Sequence, residues 1–267
     1  MARSRFAIGR LPGFAMMAML TFAFLYLPIF TLVAYSFNAA ASMTVWEGFS
    51  LRWYEAAFAN RTVQDVSIRS LVLAVSAASI ATALATMAAL ATTRKRHFPG
   101  QTMIYALINQ PLMVPEIVTG VALLIFFAMI KVQTGYTGLG YLIAAHSAFC
   151  IPFAYLPIRA RLETMDLTLE TAAADLYATS WRAFRHVTLP LLAPGIIAGF
   201  LLGFVISLDT VVITELVKSA GQDTLSTYML GQMRRVVTPE TNAIATLFLL
   251  LSLAAVTIFF LLSRKRV

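Results

Sequence analysis

The sequence predicts an all-α membrane protein of six spanning helices, and three observations carry that prediction. Of 267 residues, 60% are hydrophobic and only 12% charged, whereas an ordinary soluble domain is roughly a quarter charged. The mean hydropathy is +0.80. Six separate stretches stay apolar for about 20 residues or more, the length that crosses a bilayer core. Those crossings use roughly 120 residues, which leaves connections rather than a second folded body, so residues 1–267 read as a single transmembrane domain. A free cytosolic domain is excluded. With so little soluble surface, the net charge of +8 points to loops facing anionic lipid and not to nucleic acid. Cys150 is the only cysteine, so neither a disulfide framework nor a Cys-based zinc site is available, and no metal site is predicted.

The first span, Phe14 to Ser36, follows Arg3, Arg5 and Arg10 and precedes Ala39-Ala40-Ala41. That resembles a signal peptide, but its apolar region exceeds the roughly 7–15 residues of a signal core, so a retained helix is expected. The second, Val66 to Thr93, repeats small residues every four positions: Ala74, Ala78, Thr82 and Thr86, beside Ala77, Ala81, Ala85 and Ala89. The third, Met103 to Ile130, contains Pro111 and Pro115, which should interrupt it. The fourth, Leu139 to Ile158, should bend at Pro152 and Pro157. The fifth, Leu191 to Val217, carries Gly195, Gly199 and Gly203 at the spacing that lets helix backbones approach closely in lipid. Ala243 to Leu262 is the sixth. The second and fifth spans are therefore expected to form the tight interior.

Basic residues set the orientation. One side collects Arg3, Arg5, Arg10, Arg94, Lys95, Arg96, Arg159, Arg161, Arg182, Arg185, Arg264, Lys265 and Arg266, 13 in all; the other collects Arg52, Arg61, Arg69, Lys131, Lys218, Arg234 and Arg235, 7 in all. Both termini are expected in the cytoplasm. The outer connections 37–65 and 218–242 carry Trp46, Trp53, Tyr54 and Tyr228, residue types that anchor at the interface or dock partners.

The cytoplasmic segment 163–190 is the most polar stretch inside the chain. Asp166 or Thr168 is placed to cap a first short helix with Glu170 in its opening turn, and Thr179 to cap a second. The second sets Trp181, Phe184 and Val187 on one stripe with Arg182, Arg185 and His186 beside it, a pattern suited to a groove on another protein. Chemistry of the chain's own is weakly supported. There is no G-x-x-x-x-G-K-[ST], no H-E-x-x-H and no G-x-S-x-G, and His97, His146 and His186 fall in different segments.

Two carboxylates lie inside apolar spans, where a charge is costly and marks a pathway candidate. Glu116 falls 13 residues into the third span and Asp209 18 residues into the fifth. Both are expected to line a path and attract a small cationic solute, whose ammonium groups need anionic partners once water is removed. Glu215 is nearer the outer rim and weaker. His146 reads as a hydrogen-bonded core residue. Tyr105, Tyr141 and Tyr155 are candidates for cation-π contact or packing.

At the polar segment the chain resembles a family. Glu170-Thr171-Ala172-Ala173-Ala174-Asp175-Leu176-Tyr177-Ala178-Thr179, followed by Val187-Thr188-Leu189-Pro190, resembles the EAA loop of ABC importer permeases. Thr171 stands where that motif usually has Glu, and Tyr177 where it has Gly. Ser36-Phe37-Asn38, Arg52-Trp53-Tyr54, Pro111 through Glu116, Ala145-His146, Ser207-Leu208-Asp209 and Pro239 through Ala243 resemble the second permease subunit of spermidine/putrescine importers. The resemblance implies the type I ABC importer fold and an inner-membrane, multi-pass, non-catalytic subunit. It implies a polyamine substrate, with opines or amino-acid-like solutes as alternatives. Implied partners are a second permease, two ATP-binding subunits that use ATP and Mg, a soluble solute-binding protein, and membrane lipid. No cofactor is expected on this chain itself. Glu170, Ala172, Ala173, Asp175, Tyr177, Thr179, Trp181, Arg182, Phe184 and Arg185 are the residues implied in coupling to the ATPase. An ion-coupled transporter or channel, with Glu116 and Asp209 as ion sites, is the alternative class.

Overall fold

A computed structural model describes residues 13–42, 45–94, 98–234 and 238–264. Arg3, Arg5, Arg10, Lys95, Arg96, His97, Arg235, Lys265 and Arg266, used above, lie outside them. The helices are α1 (Phe14–Tyr35), α2 (Arg52–Ala59), α3 (Arg61–Arg94), α4 (Gln101–Met113), α5 (Glu116–Thr134), α6 (Gly140–Thr164), α7 (Thr168–Asp175), α8 (Ser180–Ala183), α9 (Leu189–Asp209), α10 (Val212–Val217), α11 (Leu225–Met233) and α12 (Pro239–Arg264). A π-helical turn, Phe184–Thr188, joins α8 to α9. Six helical runs are long and apolar enough to cross a membrane: Ala15–Tyr35, Arg61–Arg94, Glu116–Thr134, Gly140–Thr164, Ser180–Asp209 and Pro239–Ile258.

Two spans differ from their expected form. The third is broken into α4 and α5 at Val114 and Pro115, both extended in ψ. Pro115 forces this because it disfavours helical backbone at the residue before it. Pro111 stays inside α4, and Pro152 and Pro157 stay inside a continuous α6. The fifth span ends at Asp209, where Thr210 is extended, and a separate short helix, α10, follows. At its other end the fifth span starts earlier than expected, at Ser180.

The chain divides into two compact units, residues 1–60 with 232–250, and residues 61–231 with 251–267. In the first, α1 exposes its apolar side chains, and the connection after it folds on Asn38. The Asn38 side chain donates to Val45 O at 2.6 Å and Ser42 O at 3.3 Å, and accepts from Glu47 N at 3.0 Å and Ala40 N at 3.2 Å. Both amide donors and both lone pairs are thereby used. Trp53 Nε1 donates to Asn38 O at 2.8 Å, Ser36 Oγ lies 2.6 Å from the Tyr54 hydroxyl, and Phe37 stacks on Phe49.

In the second unit α3, α6 and α9 pack on one another. Ala74, Ala77, Ala78, Ala81, Ala85 and Ala89 of α3 are fully buried, so its small-residue face is the seam. The expected α3–α9 pairing is incomplete: α6 is the third member, and two of the three glycines face it. A Cβ at Gly195 would stand 2.7 Å from Arg161 Cβ, and one at Gly199 2.7 Å from Ala154 O. Gly203 alone meets α3, and a Cβ there would lie 3.7 Å from Ala78 Cβ and from Cys150 Cβ, an ordinary contact.

Candidate functional site

The polar segment builds a projecting corner. The N-cap of α7 is Leu167, without a side-chain capping bond, and not Asp166 or Thr168; Asp166, one residue earlier, accepts from Thr168 N at 2.9 Å, and that backbone bond holds its carboxyl below its ordinary range. The C-terminus of α7 closes with Ala178 N bonded to Ala173 O at 3.0 Å and Tyr177 N to Ala174 O at 2.9 Å. These are the two bonds of a Schellman cap, which needs left-handed backbone at Tyr177. Tyr177 has φ 58°, the only positive φ outside glycine among the described residues. The bulky residue therefore adopts the backbone that glycine usually supplies, and the turn survives. Thr179 then accepts from Arg182 N and caps α8.

The coupling candidates separate by exposure. Ala172, Asp175, Tyr177, Thr179, Trp181, Arg182 and Arg185 are exposed, while Ala173 and Phe184 are half-buried. Tyr177 is 95% and Trp181 66% exposed, and Trp181 stacks on Phe184. Glu170 turns the other way. Its Oε1 accepts from Thr188 Oγ1 at 3.0 Å and lies 3.1 Å from Arg94 Nη2. That second contact is an ion pair without hydrogen-bond alignment, since Arg94 Nη2 has no geometric partner. Glu170 thus ties α7 to the end of α3 and to the residue that opens α9.

The intramembrane carboxylates both stand at helix breaks. Glu116 is the first residue of α5 and not the interior of a continuous helix; its Oε1 is buried with no hydrogen-bond partner, as is Thr119 Oγ1. Asp209 is the last residue of α9 and exposed. Its carboxylate has no ion-pair or hydrogen-bond partner among the described residues, and it faces the negative end of the helix dipole, an unfavourable place for an anion. Helices α5 and α10 lie together: a Cβ at Gly120 would stand 2.7 Å from Leu216 Cδ1 and 3.7 Å from Ile213 Cα. Farther on, Lys131 Nζ donates to Ser219 Oγ at 3.0 Å, just beyond α10. Glu116 opens α5, and Asp209 closes α9 immediately before the break that leads to α10.

His146, on α6, pins the break after Asp209. It is 1% exposed, with Nδ1 2.8 Å from Ser207 Oγ on α9 and Nε2 2.9 Å from Thr214 Oγ1 on α10. The Thr214 hydroxyl proton is already donated to Thr210 O at 2.7 Å, so Thr214 Oγ1 accepts from the ring. The imidazole is consequently the Nε2–H tautomer, and Ser207 donates to Nδ1. Sequence reasoning found the histidine but not its two partners. Glu215 is held by Lys218 at 2.6 Å, and Lys218 also reaches Asp223 at 2.7 Å. The tyrosines are occupied: Arg159 lies over Tyr105 at 4.9 Å and Tyr155 at 6.0 Å, and Tyr141 packs on Phe127 and Tyr136.

Residues 81–267 match the family model described as binding-protein-dependent transport system inner membrane component. The chain belongs to this family. It is 37% identical over 243 residues to the putrescine transport system permease protein PotI of Escherichia coli K12, covering 90% of this chain and 86% of that protein. It is also 37% identical over 244 residues to the spermidine/putrescine transport system permease protein PotC of Haemophilus influenzae, covering 91% and 93%. Among solved structures, a bacterial ABC transporter that imports alginate gives a TM-score of 0.66 at 17% identity over 94% of both chains. The MetNI methionine ABC transporter gives 0.61 at 16% identity, covering 77% of this chain and 98% of that one. The fold is that of ABC importer permeases, and family members of this kind are membrane components rather than enzymes. The chain is accordingly a multi-pass inner-membrane protein, and ion-coupled secondary transport is set aside.

Proposed function

We propose that this chain is one permease half of an ATP-driven importer for polyamines, paired with a second related permease, two ATP-binding subunits and a soluble solute-binding protein. In this reading both termini and the α7–α8 corner face the cytoplasm, and segment 163–190 receives the ATPase. Closure of the ATPase subunits displaces the corner and switches the spans between outward and inward access, a rigid-body transition between two states. The observation that carries the substrate class is that Glu116 and Asp209 both stand at helix breaks without an ion-pair partner among the described residues. A static ion pair would give each a partner. A linear dication stripped of water finds there the anions its ammonium groups need. The 37% identity to putrescine and spermidine/putrescine permeases supports the same class.

The test is ATP-driven uptake of labelled putrescine into vesicles holding the complete transporter. Asp209→Asn and Glu116→Gln are expected to cut uptake at least tenfold while the subunits still co-purify, a loss on the scale of one intramembrane charge. Undiminished putrescine uptake by both variants refutes the pathway role. Uptake of a zwitterionic amino acid or opine in preference to putrescine refutes the substrate class.

A further inference from the structure

The break after Asp209 frees a backbone carbonyl that a helix would have used. In a continuous helix Leu208 O accepts from the amide four residues on, Val212 N, but α9 ends at Asp209, Thr210 is extended, and Val212 opens α10. The last turn of α9 closes on Ile206 O, which accepts from Thr210 N at 3.0 Å and Thr210 Oγ1 at 2.7 Å. Leu208 is buried, and a carbonyl freed inside an apolar span has no water to turn to, so it needs a donor from the protein. Ser226 supplies it. Its hydroxyl, in the first turn of α11, donates to Leu208 O at 2.5 Å across 18 residues of sequence.

The serine is itself held. Thr224 and Thr227 cap α11 reciprocally, with Thr224 N donating to Thr227 Oγ1 at 3.0 Å and Thr227 N to Thr224 Oγ1 at 3.4 Å. Leu225 N, beside Ser226, donates to the buried Ser70 Oγ on α3 at 2.7 Å, and Arg69 Nη1 on the same helix donates to Asp223 O at 2.8 Å. The start of α11 is thus pinned to α3 at Asp223 and Leu225, and Ser226 carries that fixed point to the peptide that joins Leu208 to Asp209. His146 holds side chains at the break, those of Ser207 and Thr214; Ser226 holds the backbone from which the Asp209 carboxylate hangs. Once released, Leu208 O is open to Val212 N, the bond that would run α9 on into α10 and turn Asp209 with it.

We propose that Ser226 is a positioning residue for transport: by holding Leu208 O out of the helical ladder it keeps the break open and fixes the Asp209 carboxylate where the cationic solute meets it. This role rests on Asp209 being a pathway carboxylate. The test uses the complete transporter in vesicles and a matched pair, Ser226→Val and Ser226→Thr, which share a shape and differ in the hydroxyl, with Ser226→Ala where Ser226→Val fails to assemble. ATP-driven putrescine uptake is expected to fall about three- to tenfold in Ser226→Val, the worth of one buried hydrogen bond, and to stay near wild type in Ser226→Thr. In the Asp209→Asn background Ser226→Val is expected to cause no further loss, because the carboxylate it positions is gone; a merely structural serine lowers uptake in both backgrounds. The bond itself is read by magnetic resonance. Leu208-Asp209 is the one Leu-Asp pair in the chain, so in transporter labelled with carbonyl carbon-13 leucine and nitrogen-15 aspartate, the Leu208 carbonyl is the directly coupled resonance that vanishes in Asp209→Asn. It is expected to shift in Ser226→Val and to hold in Ser226→Thr. An unshifted carbonyl, equal uptake by Ser226→Val and wild type, or a further loss in the Asp209→Asn background each overturns the proposal. Undiminished uptake by Asp209→Asn alone marks failure of the pathway reading instead, and takes the positioning role with it.

Discussion

Replacing Tyr177 by glycine separates two properties that this residue combines. Its backbone is left-handed, φ 58°, a conformation that disfavours an L-residue by roughly 1–2 kcal/mol. Glycine removes that penalty but loses roughly 0.5–1 kcal/mol of extra chain entropy on ordering. The ring is 95% exposed, so no packing inside the chain is lost. The net is a tighter cap by about 0.5–1 kcal/mol, which slows local opening about two- to fivefold. Hydrogen exchange at the Ala178 amide, bonded to Ala173 O at 3.0 Å, reads this directly in the nucleotide-free transporter. Tyr177→Ala is the control: it removes the ring and keeps the backbone penalty, so exchange should not slow. Both variants should weaken ATPase association equally, since both remove the same exposed ring. Exchange at Ala178 that is unchanged or faster in the glycine variant refutes the strain argument. Full ATPase association by both variants refutes the docking role.

Further outcomes follow from contacts already described at Glu170, at the α9 glycines and at His146. Glu170→Gln removes the charge that ties Arg94 and Thr188 to α7; a partly exposed pair of this kind contributes about 0.5–1 kcal/mol. ATPase subunits should still co-purify, while uptake per ATP hydrolysed falls; unchanged coupling counts against a transmitting role. Gly199→Ala, whose methyl would press on Ala154 O, should destabilise the protein by about 1–3 kcal/mol, and Gly203→Ala should leave the melting temperature nearly unmoved. Nitrogen-15 spectra of histidine-labelled protein should show a protonated Nε2 and an unprotonated Nδ1 for His146, and the opposite tautomer contradicts the hydrogen-bond assignment. His146→Ala should lower stability by about 1–3 kcal/mol by leaving the buried Ser207 hydroxyl without its partner, while Thr214 keeps its bond to Thr210 O.

The six spans were legible because hydropathy reports burial in lipid whatever the helices do inside it. Breaks were legible only where proline marks them. Pro115 announces the gap between α4 and α5, but Thr210 and Val211 carry no proline or glycine, and an extended residue inside an apolar run leaves hydropathy unchanged. The polar residues that sustain that gap, Ser207 and Thr214, lie 61 and 68 residues in sequence from the His146 ring that joins them. The start of the fifth span erred in the opposite direction. It was expected at Leu191, yet the helical run begins at Ser180 and passes Pro190, because proline is tolerated in the first turn of α9, after a π-helical turn. Glu170 was legible as a first-turn acid but not as an inward-facing one, since α7 has 8 residues, too few for a periodicity that fixes which face is buried.

The continuity of α8 with α9 gives the proposed coupling its mechanical form. From Ser180 to Asp209 the chain is one helical run of 30 residues, about 45 Å at 1.5 Å per residue. The exposed Trp181 stands at one end and the partnerless Asp209 at the other. Such a rod transmits a tilt only if its near end is held to the element that is pushed, and Glu170, bonded to Thr188, supplies that hold between α7 and the base of α9. At the far end, a rod that continued rigidly into α10 would drag the α5–α10 contact with it. The extended Thr210 breaks the rod there, and His146 fixes Ser207 and Thr214 on either side of the break to the same ring on α6. Motion arriving along α9 therefore acts where α9, α10 and α6 meet, beside the carboxylate assigned to the substrate, and the load falls on two hydrogen bonds rather than on a continuous helix.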